Sequence, residues 1–175
     1  MIITSMVRKI KVLYRMRDHI NYARSLGVKV GDDCNFVDNP NWGSEPYLIT
    51  VGNHVLISGG VTFANHDGAT WVLRKNDKYR DTFKFGRIRI GDNCFIGHGS
   101  ILLPNVSIGE NSIVAAGSIV TKSIPAGEVW GGIPAHFIMK TEEYAERCYE
   151  NRPPIIRDNL IQNKRKELLR VYPDR

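Results

Sequence analysis

The sequence predicts a mainly β fold, a solenoid of short parallel strands, on three observations: an aliphatic residue that returns every six positions, a small or aliphatic residue four positions after it, and frequent glycine directly behind it. Stepping by six from Ile90 gives Ile96, Leu102, Ile108, Val114 and Val120. The next positions read Gly91, Gly97, Leu103, Gly109, Ala115 and Thr121, and the fourth step reads Cys94, Ser100, Val106, Ser112, Ser118 and Ile124. Val51-Gly52, Ile57-Ser58 and Phe63-Ala64, with Val55 and Val61 at the fourth step, repeat the pattern upstream, and Val30-Gly31 with Cys34 opens it. An amphipathic helix would repeat at about 3.6 residues and a free-standing strand at about 2. A six-residue period on three faces gives a coil of about 18 residues whose inner side chains stack on those of the neighbouring coils. The aliphatic residue and the small residue point inward, and the glycine is expected to let the chain bend. Cys34 and Cys94 fall on inward positions and read as core thiols.

The register breaks at two places. Val30 to Val51 is one coil plus three residues. Phe63 to Ile90 is not a multiple of six, so a loop spanning residues 68–88 leaves the solenoid. It carries Trp71, Arg74, Lys75, Tyr79, Arg80 and Arg87, aromatic and cationic groups, and long excursions from a regular solenoid are usually functional or interfacial. At the ends the period changes. Residues 4–26 read as a basic amphipathic helix, and residues 141–150 and 154–171 read as helices. The chain is read as one domain: an N-terminal helix over 1–27, the solenoid over 28–140, and C-terminal helices over 141–175. Terminal helices cover strand edges that a solenoid would otherwise expose. Attachment of the N-terminal helix to a membrane surface is the sharper alternative.

Hydrophobic residues make up 42% and charged residues 24%, an ordinary globular balance. The formal charge of +6 suits an anionic ligand, but there is no RNP-like aromatic motif, zinc-finger spacing or helix-turn-helix, so nucleic acid is not an expected partner. No apolar run reaches the ~20 residues of a membrane span, and basic residues interrupt the N-terminal stretch where a signal peptide would be apolar; a cytoplasmic location is expected. The three cysteines form no CxxC, and no metal site is expected.

The run Ile90-Gly91-Asp92-Asn93-Cys94-Phe95-Ile96-Gly97-His98-Gly99, the segment Leu103-Pro104-Asn105-Val106-Ser107-Ile108-Gly109, the stretch Val114-Ala115-Ala116-Gly117-Ser118-Ile119-Val120-Thr121-Lys122, and Gly132-Ile133-Pro134-Ala135 together resemble the hexapeptide-repeat acyltransferases. The pattern is similar to the sugar O-acetyltransferase and xenobiotic acetyltransferase branch over residues 28–140. The resemblance implies a left-handed parallel β-helix, a homotrimer with active sites shared between subunits, and acetyl-coenzyme A as donor. It implies that His66, in Phe63-Ala64-Asn65-His66-Asp67-Gly68, is the general base, since the family's histidine lies where a regular coil gives way to a loop. It places Asp38 and Asn65 on the acceptor side, with Asn35 and Asn39 as alternatives to Asp38. The 68–88 loop starts directly after His66, and its Trp71 and Tyr79 with Arg74, Lys75 and Arg80 suit stacking on a sugar face and hydrogen bonding to hydroxyls or phosphate, so the loop is expected to set acceptor specificity. By the same resemblance, His98 and Gly99 lie beside the thioester through their backbone, Ala116 and Gly117 along the pantetheine arm, and Thr121, Lys122 and His136 near the nucleotide. His136 stands where some relatives carry arginine. The expected function is acetyl transfer to a sugar hydroxyl. An amino sugar or xenobiotic amine is the alternative acceptor, and a non-catalytic scaffold is the non-enzymatic alternative. A zinc carbonic anhydrase on the same helix needs three histidines with two close in sequence, which His54, His66 and His98 do not provide. A serine acetyltransferase would carry a long helical N-terminal domain.

Overall fold

A computed structural model describes residues 18–173. After helix α1 (His19–Ser25), the chain lays short strands on three faces in rotation. The first face holds β1 (Lys29–Val30), β3 (Ile49–Val51), β6 (Ile88–Ile90) and β9 (Ser107–Ile108). The second holds β2 (Asn35–Phe36), β4 (Leu56–Ile57), β7 (Phe95–Ile96), β10 (Ile113–Val114) and β12 (Glu128–Gly131). The third holds β5 (Thr62–Phe63), β8 (Ile101–Leu102) and β11 (Ile119–Val120). Neighbours among these strands pair in parallel. A chain that visits three parallel sheets in turn and returns to pair with itself is wound as a three-sided coil.

The inward residues are those that the six-residue period singled out. Ile57, Phe63, Ile96, Leu102, Val114 and Val120 are fully buried, and at the fourth step Val55, Val61, Val106, Ser100, Ser112 and Ser118 are buried beside them. Burying one such aliphatic side chain contributes about 1.5–3 kcal/mol. The buried serine hydroxyls donate to backbone carbonyls: Ser100 to Ala115, Ser112 to Pro125, Ser118 to Ala115. Cys94 is buried and donates to the Gly109 carbonyl, and Cys34 packs partly buried against the core.

The glycines that follow the aliphatic residues do a different job from the bending expected of them. A Cβ on Gly91 would come within 2.8 Å of the Glu110 amide nitrogen, and a Cβ on Gly97 or Gly109 would overlap the backbone at Ala116 or Ala126. These glycines let consecutive coils touch. The bend is made elsewhere, by Asp33, His54, Asn93 and Asn111, all with φ between 52° and 57°. Asparagine and aspartate tolerate this left-handed conformation better than most residues.

Three other elements differ from expectation. The excursion after β5 is not irregular throughout: it contains α2 (Thr70–Leu73) and a 3-10 turn at Asp77–Tyr79. Past β12 the chain does not begin another coil but folds back as β13 (His136–Lys140), antiparallel to β12. The helix expected over 154–171 is two, α4 (Arg157–Gln162) and α5 (Lys164–Val171), because Asn163 leaves the helical conformation and caps the second with its side chain. Of the helix expected over 4–26, residues 4–17 lie outside the described residues, and over the rest the helix spans His19–Ser25.

The chain divides into two compact units, one up to Thr141 and one from Glu142. The second unit contains most of α3 (Thr141–Glu150) together with α4 and α5. Its organising group is Glu167, 2% exposed, which accepts from the Ile156 amide, Asn159 and Arg170. The Arg170 guanidinium, followed by the Ile156 N–H, holds the Glu167 carboxyl down to about 2. Among the described residues no helix is long and apolar enough to cross a membrane.

Candidate functional site

The three corners of the coil differ in what they carry. The first corner, between the first and second faces, stacks Asp33, His54, Asn93 and Asn111. His54 Nδ1 lies 2.5 Å from Asp33 Oδ2, and the Asn93 amide donates to Asn111 Oδ1 at 2.7 Å. The second corner stacks Asp38, Gly59-Gly60, His98-Gly99 and Ala116-Gly117, joined by Gly60 N–H to Asp38 Oδ2, Gly99 N–H to Gly59 O and Gly117 N–H to His98 O. The third corner carries Gly43–Glu45 from the first coil and Asn65-His66 from the second. Thr121 and Lys122 leave the third face by β11, two strands further along.

His66 stands at the third corner, at the point where the excursion departs. Its Nδ1 lies 2.9 Å from Glu45 Oε2. The Glu45 side chain is 16% exposed and that of His66 43%, so the imidazole is presented to solvent from a largely buried carboxylate. A carboxylate only accepts hydrogen bonds, so a neutral His66 carries its proton on Nδ1 and keeps the Nε2 lone pair free. Phe85 flanks the ring, 6.0 Å between centroids, and bridges His66 in an antiparallel pairing.

Further contacts hold the ring's setting. Asn65 is fully buried; its amide donates to the Trp42 carbonyl at 3.0 Å, and Trp42 stacks on Phe63 at 4.8 Å. Gly43, with φ of 68°, passes so close to Asn65 Oδ1 that a Cβ would lie 2.5 Å from it. The excursion is pinned at its base by Lys84 Nζ on Asp67 Oδ2 at 2.9 Å and by the Asp67 amide on Lys84 O. Lys84, then the Ala69 N–H, holds the Asp67 carboxyl below the ordinary carboxylate range.

The chain by itself does not bring all the sequence-picked residues together. His66 and Asn65 share the third corner, and Asn65, expected on the acceptor side, has its side chain inside, supporting the Trp42-Gly43 turn. Asp38, His98, Gly99, Ala116 and Gly117 share the second corner. Trp71 is 77% exposed on α2, and His136 is exposed on β13. The Gly99 N–H, expected beside the thioester, is spent on Gly59 O and is not open to an oxyanion. At Gly117, φ 69°, a Cβ would meet nothing within 4 Å, so bare backbone is exposed there. Burial pushes the thiol of Cys94 up, and likewise that of Cys34, which makes neither a ready nucleophile.

Sequence reasoning missed Glu45. It lies in the three-residue surplus of the first coil, outside the six-residue register. The signal was nonetheless available: first and second coils are offset by 21 residues, in the Asp33–His54 contact as in Glu45–His66. Stepping back by that offset from His66 lands on Glu45.

Comparison with known proteins agrees with this architecture. Residues 87–122 match the family described as bacterial transferase hexapeptide (six repeats). Protein CapG of Staphylococcus aureus is 55% identical over 130 residues, 73% of this chain and 74% of CapG. Among solved structures, a hexapeptide-repeat-containing acetyltransferase of Vibrio cholerae superposes with a TM-score of 0.56 at 22% identity, covering 78% of this chain and 89% of its own. A maltose O-acetyltransferase of Clostridium difficile 630 does so with a TM-score of 0.52 at 23% identity, covering 78% and 84%. The serine acetyltransferase of Neisseria gonorrhoeae matches with a TM-score of 0.52 at 23% identity, over 66% of this chain but 40% of its own length. With its six-residue period, its three parallel faces, the match over residues 87–122 and its 55% sequence identity with CapG, the chain belongs to the hexapeptide-repeat family of bacterial transferases.

Proposed function

We propose that this chain is an acetyl-coenzyme A-dependent O-acetyltransferase acting on a sugar hydroxyl, built as a left-handed parallel β-helix that works as a homotrimer. The observation that carries the reading is the Glu45–His66 pair at the corner where the coil gives way to the excursion. Glu45 holds Nδ1–H, and Nε2 takes the proton from the acceptor hydroxyl as its oxygen attacks the thioester carbonyl. The new C–O bond forms, the tetrahedral intermediate expels the coenzyme thiolate, and the imidazolium returns the proton to sulfur. Glu45 stabilises the imidazolium between those two steps. No acyl-enzyme is needed, in keeping with the buried, poorly ionised thiol of Cys94.

A shared site suits the placement of the other residues. The second-corner column of Asp38, His98, Ala116 and Gly117 is separated from His66 by the third face within a protomer, and a neighbouring copy supplies it on this reading. Ala116 and Gly117 would then line the pantetheine arm, and Thr121, Lys122 and His136 would stand toward the phosphates. The excursion, with Trp71 and Tyr79 exposed, would select the acceptor.

The test is acetyl-coenzyme A consumption over a panel of neutral, N-acetylated and aminated sugars. His66→Ala is expected to lower kcat by ~10²–10⁴-fold, with coenzyme binding and thermal unfolding unchanged. Near-normal turnover by the folded variant overturns the assignment of the base, and transfer only to amines overturns the O-acetylation. Light scattering that finds an active monomer overturns the shared site.

A further inference from the structure

The second corner contains a polar arrangement to which the steps above give no side-chain role. Asp38 comes from the first coil, Gly59 from the second and His98 from the third. A Cβ on Gly59 would lie 3.1 Å from Asp38 Oδ2 and 3.3 Å from His98 Nδ1, tighter than ordinary contact with both. The bare Cα of Gly59 is therefore what allows the carboxylate and the imidazole to lean toward each other across the middle coil. They do not bond one another.

Asp38 is also short of donors. Its Oδ2, the oxygen that faces Gly59, receives only the Gly60 N–H, at 3.0 Å, and its Oδ1 is buried with no partner. A carboxylate has room for about four hydrogen bonds, so Oδ2 can accept a second donor arriving over Gly59. His98 is exposed, and its ring can donate or accept at Nδ1 according to tautomer.

We propose that Asp38 and His98 form a pincer over Gly59 that holds one hydroxyl of the acceptor, the hydroxyl donating to Asp38 and accepting from the His98 ring. The inference rests on the O-acetyltransferase reading above and adds the His98 side chain, not only its backbone, to the acceptor side. The chemistry selects the ligand. An acceptor-only group such as a carboxylate or phosphate would face the Asp38 carboxylate without a proton to give. A hydrocarbon would leave both polar groups unsatisfied. A hydroxyl satisfies both at once. Gly59 then becomes a specificity position, because a methyl group there displaces both jaws.

The experiment compares wild type with Gly59→Ala, His98→Ala and His98→Asn, using acetyl-coenzyme A and whichever methyl glycoside the wild type acetylates fastest. Coenzyme Kd is measured by calorimetry and folding by thermal melt. Gly59→Ala and His98→Ala are expected to raise the acceptor KM by at least about tenfold, the loss of one hydrogen bond involving a charged group, with coenzyme Kd within about twofold of wild type. His98→Asn, whose amide can donate near the Nδ1 position, is expected to recover part of the loss. If Gly59→Ala fails to fold, the exposed His98 pair decides. An unmoved acceptor KM in His98→Ala overturns the pincer alone, as does a coenzyme Kd that weakens as much as the acceptor KM. A wild type that acetylates no hydroxyl acceptor overturns the O-acetyltransferase reading and the pincer with it.

Discussion

The first and third corners of this coil are built on opposite rules. At the first corner every coil does the same thing: Asp33, His54, Asn93 and Asn111 adopt one left-handed conformation and stand one above another. At the third corner the coils differ. The first coil puts in a 3-10 turn at Pro46–Leu48, and the second leaves for the excursion of α2 and Asp77–Tyr79 before rejoining at β6. The repeated corner keeps the stack in register, while the irregular one gathers Glu45 and His66. Regularity supplies the rigid frame, and on the proposed function the departures from it carry the chemistry.

The comparison can be broken first on the frame. Gly97→Ala would set a methyl group against the backbone of Ala116 and is expected to cost about 3 kcal/mol, near the upper end for overpacking. Thermal or denaturant unfolding measures it, and a change below about 1 kcal/mol would mean that the coils can part without loss. At the irregular corner, Glu45→Gln keeps the volume but not the charge. It is expected to lower kcat about 10–100-fold and leave the melting temperature within a few degrees, since it weakens the imidazolium rather than the fold. An unchanged kcat would reduce Glu45 to a surface contact. A smaller effect, about 1 kcal/mol, is expected for Asn93→Ala at the repeated corner, the cost of a left-handed conformation without asparagine. Asn93→Gly should recover most of it in the same unfolding measurement.

The C-terminal unit gives a contrast in pH. The Glu167 carboxyl, ordinarily near 4.5, is held at about 2 by Arg170 and the Ile156 N–H. A depressed carboxyl contributes stability above its unfolded value and loses it as pH falls through its folded one. The unit is therefore expected to loosen between about pH 4.5 and 2. Amide exchange at Ile156 should report this, and in Glu167→Gln the loosening over that window should disappear.

Much of this was legible in the residues, and the gaps have physical causes. The six-residue period marked Ile96, Leu102, Val114 and their fourth-step partners because a narrow three-sided interior admits few sizes. It did not explain the glycines, because a requirement set by the next coil's backbone cannot be seen in one coil. The break at Asn163 was missed because the charged periodicity of residues 154–171 runs through it, whereas a cap acts on a single residue. His66 stood out by its neighbours. Glu45 did not, because its significance comes from a partner 21 residues away across a register that the three surplus residues conceal. Asp38 and His98 were read as separate residues, and only stacking shows that they lie next to each other over Gly59.

The steady pairing along the third face makes the stack a measure of length. β5, β8 and β11 are neighbours in that order, so the corner bearing His66 and the corner bearing Lys122 are two strand spacings apart, roughly 9.5 Å. Those spacings are fixed by backbone hydrogen bonds and by glycines that leave no slack. A molecule that spans both corners is thus gauged in whole steps, and the unit of change open to this fold is one added or deleted coil.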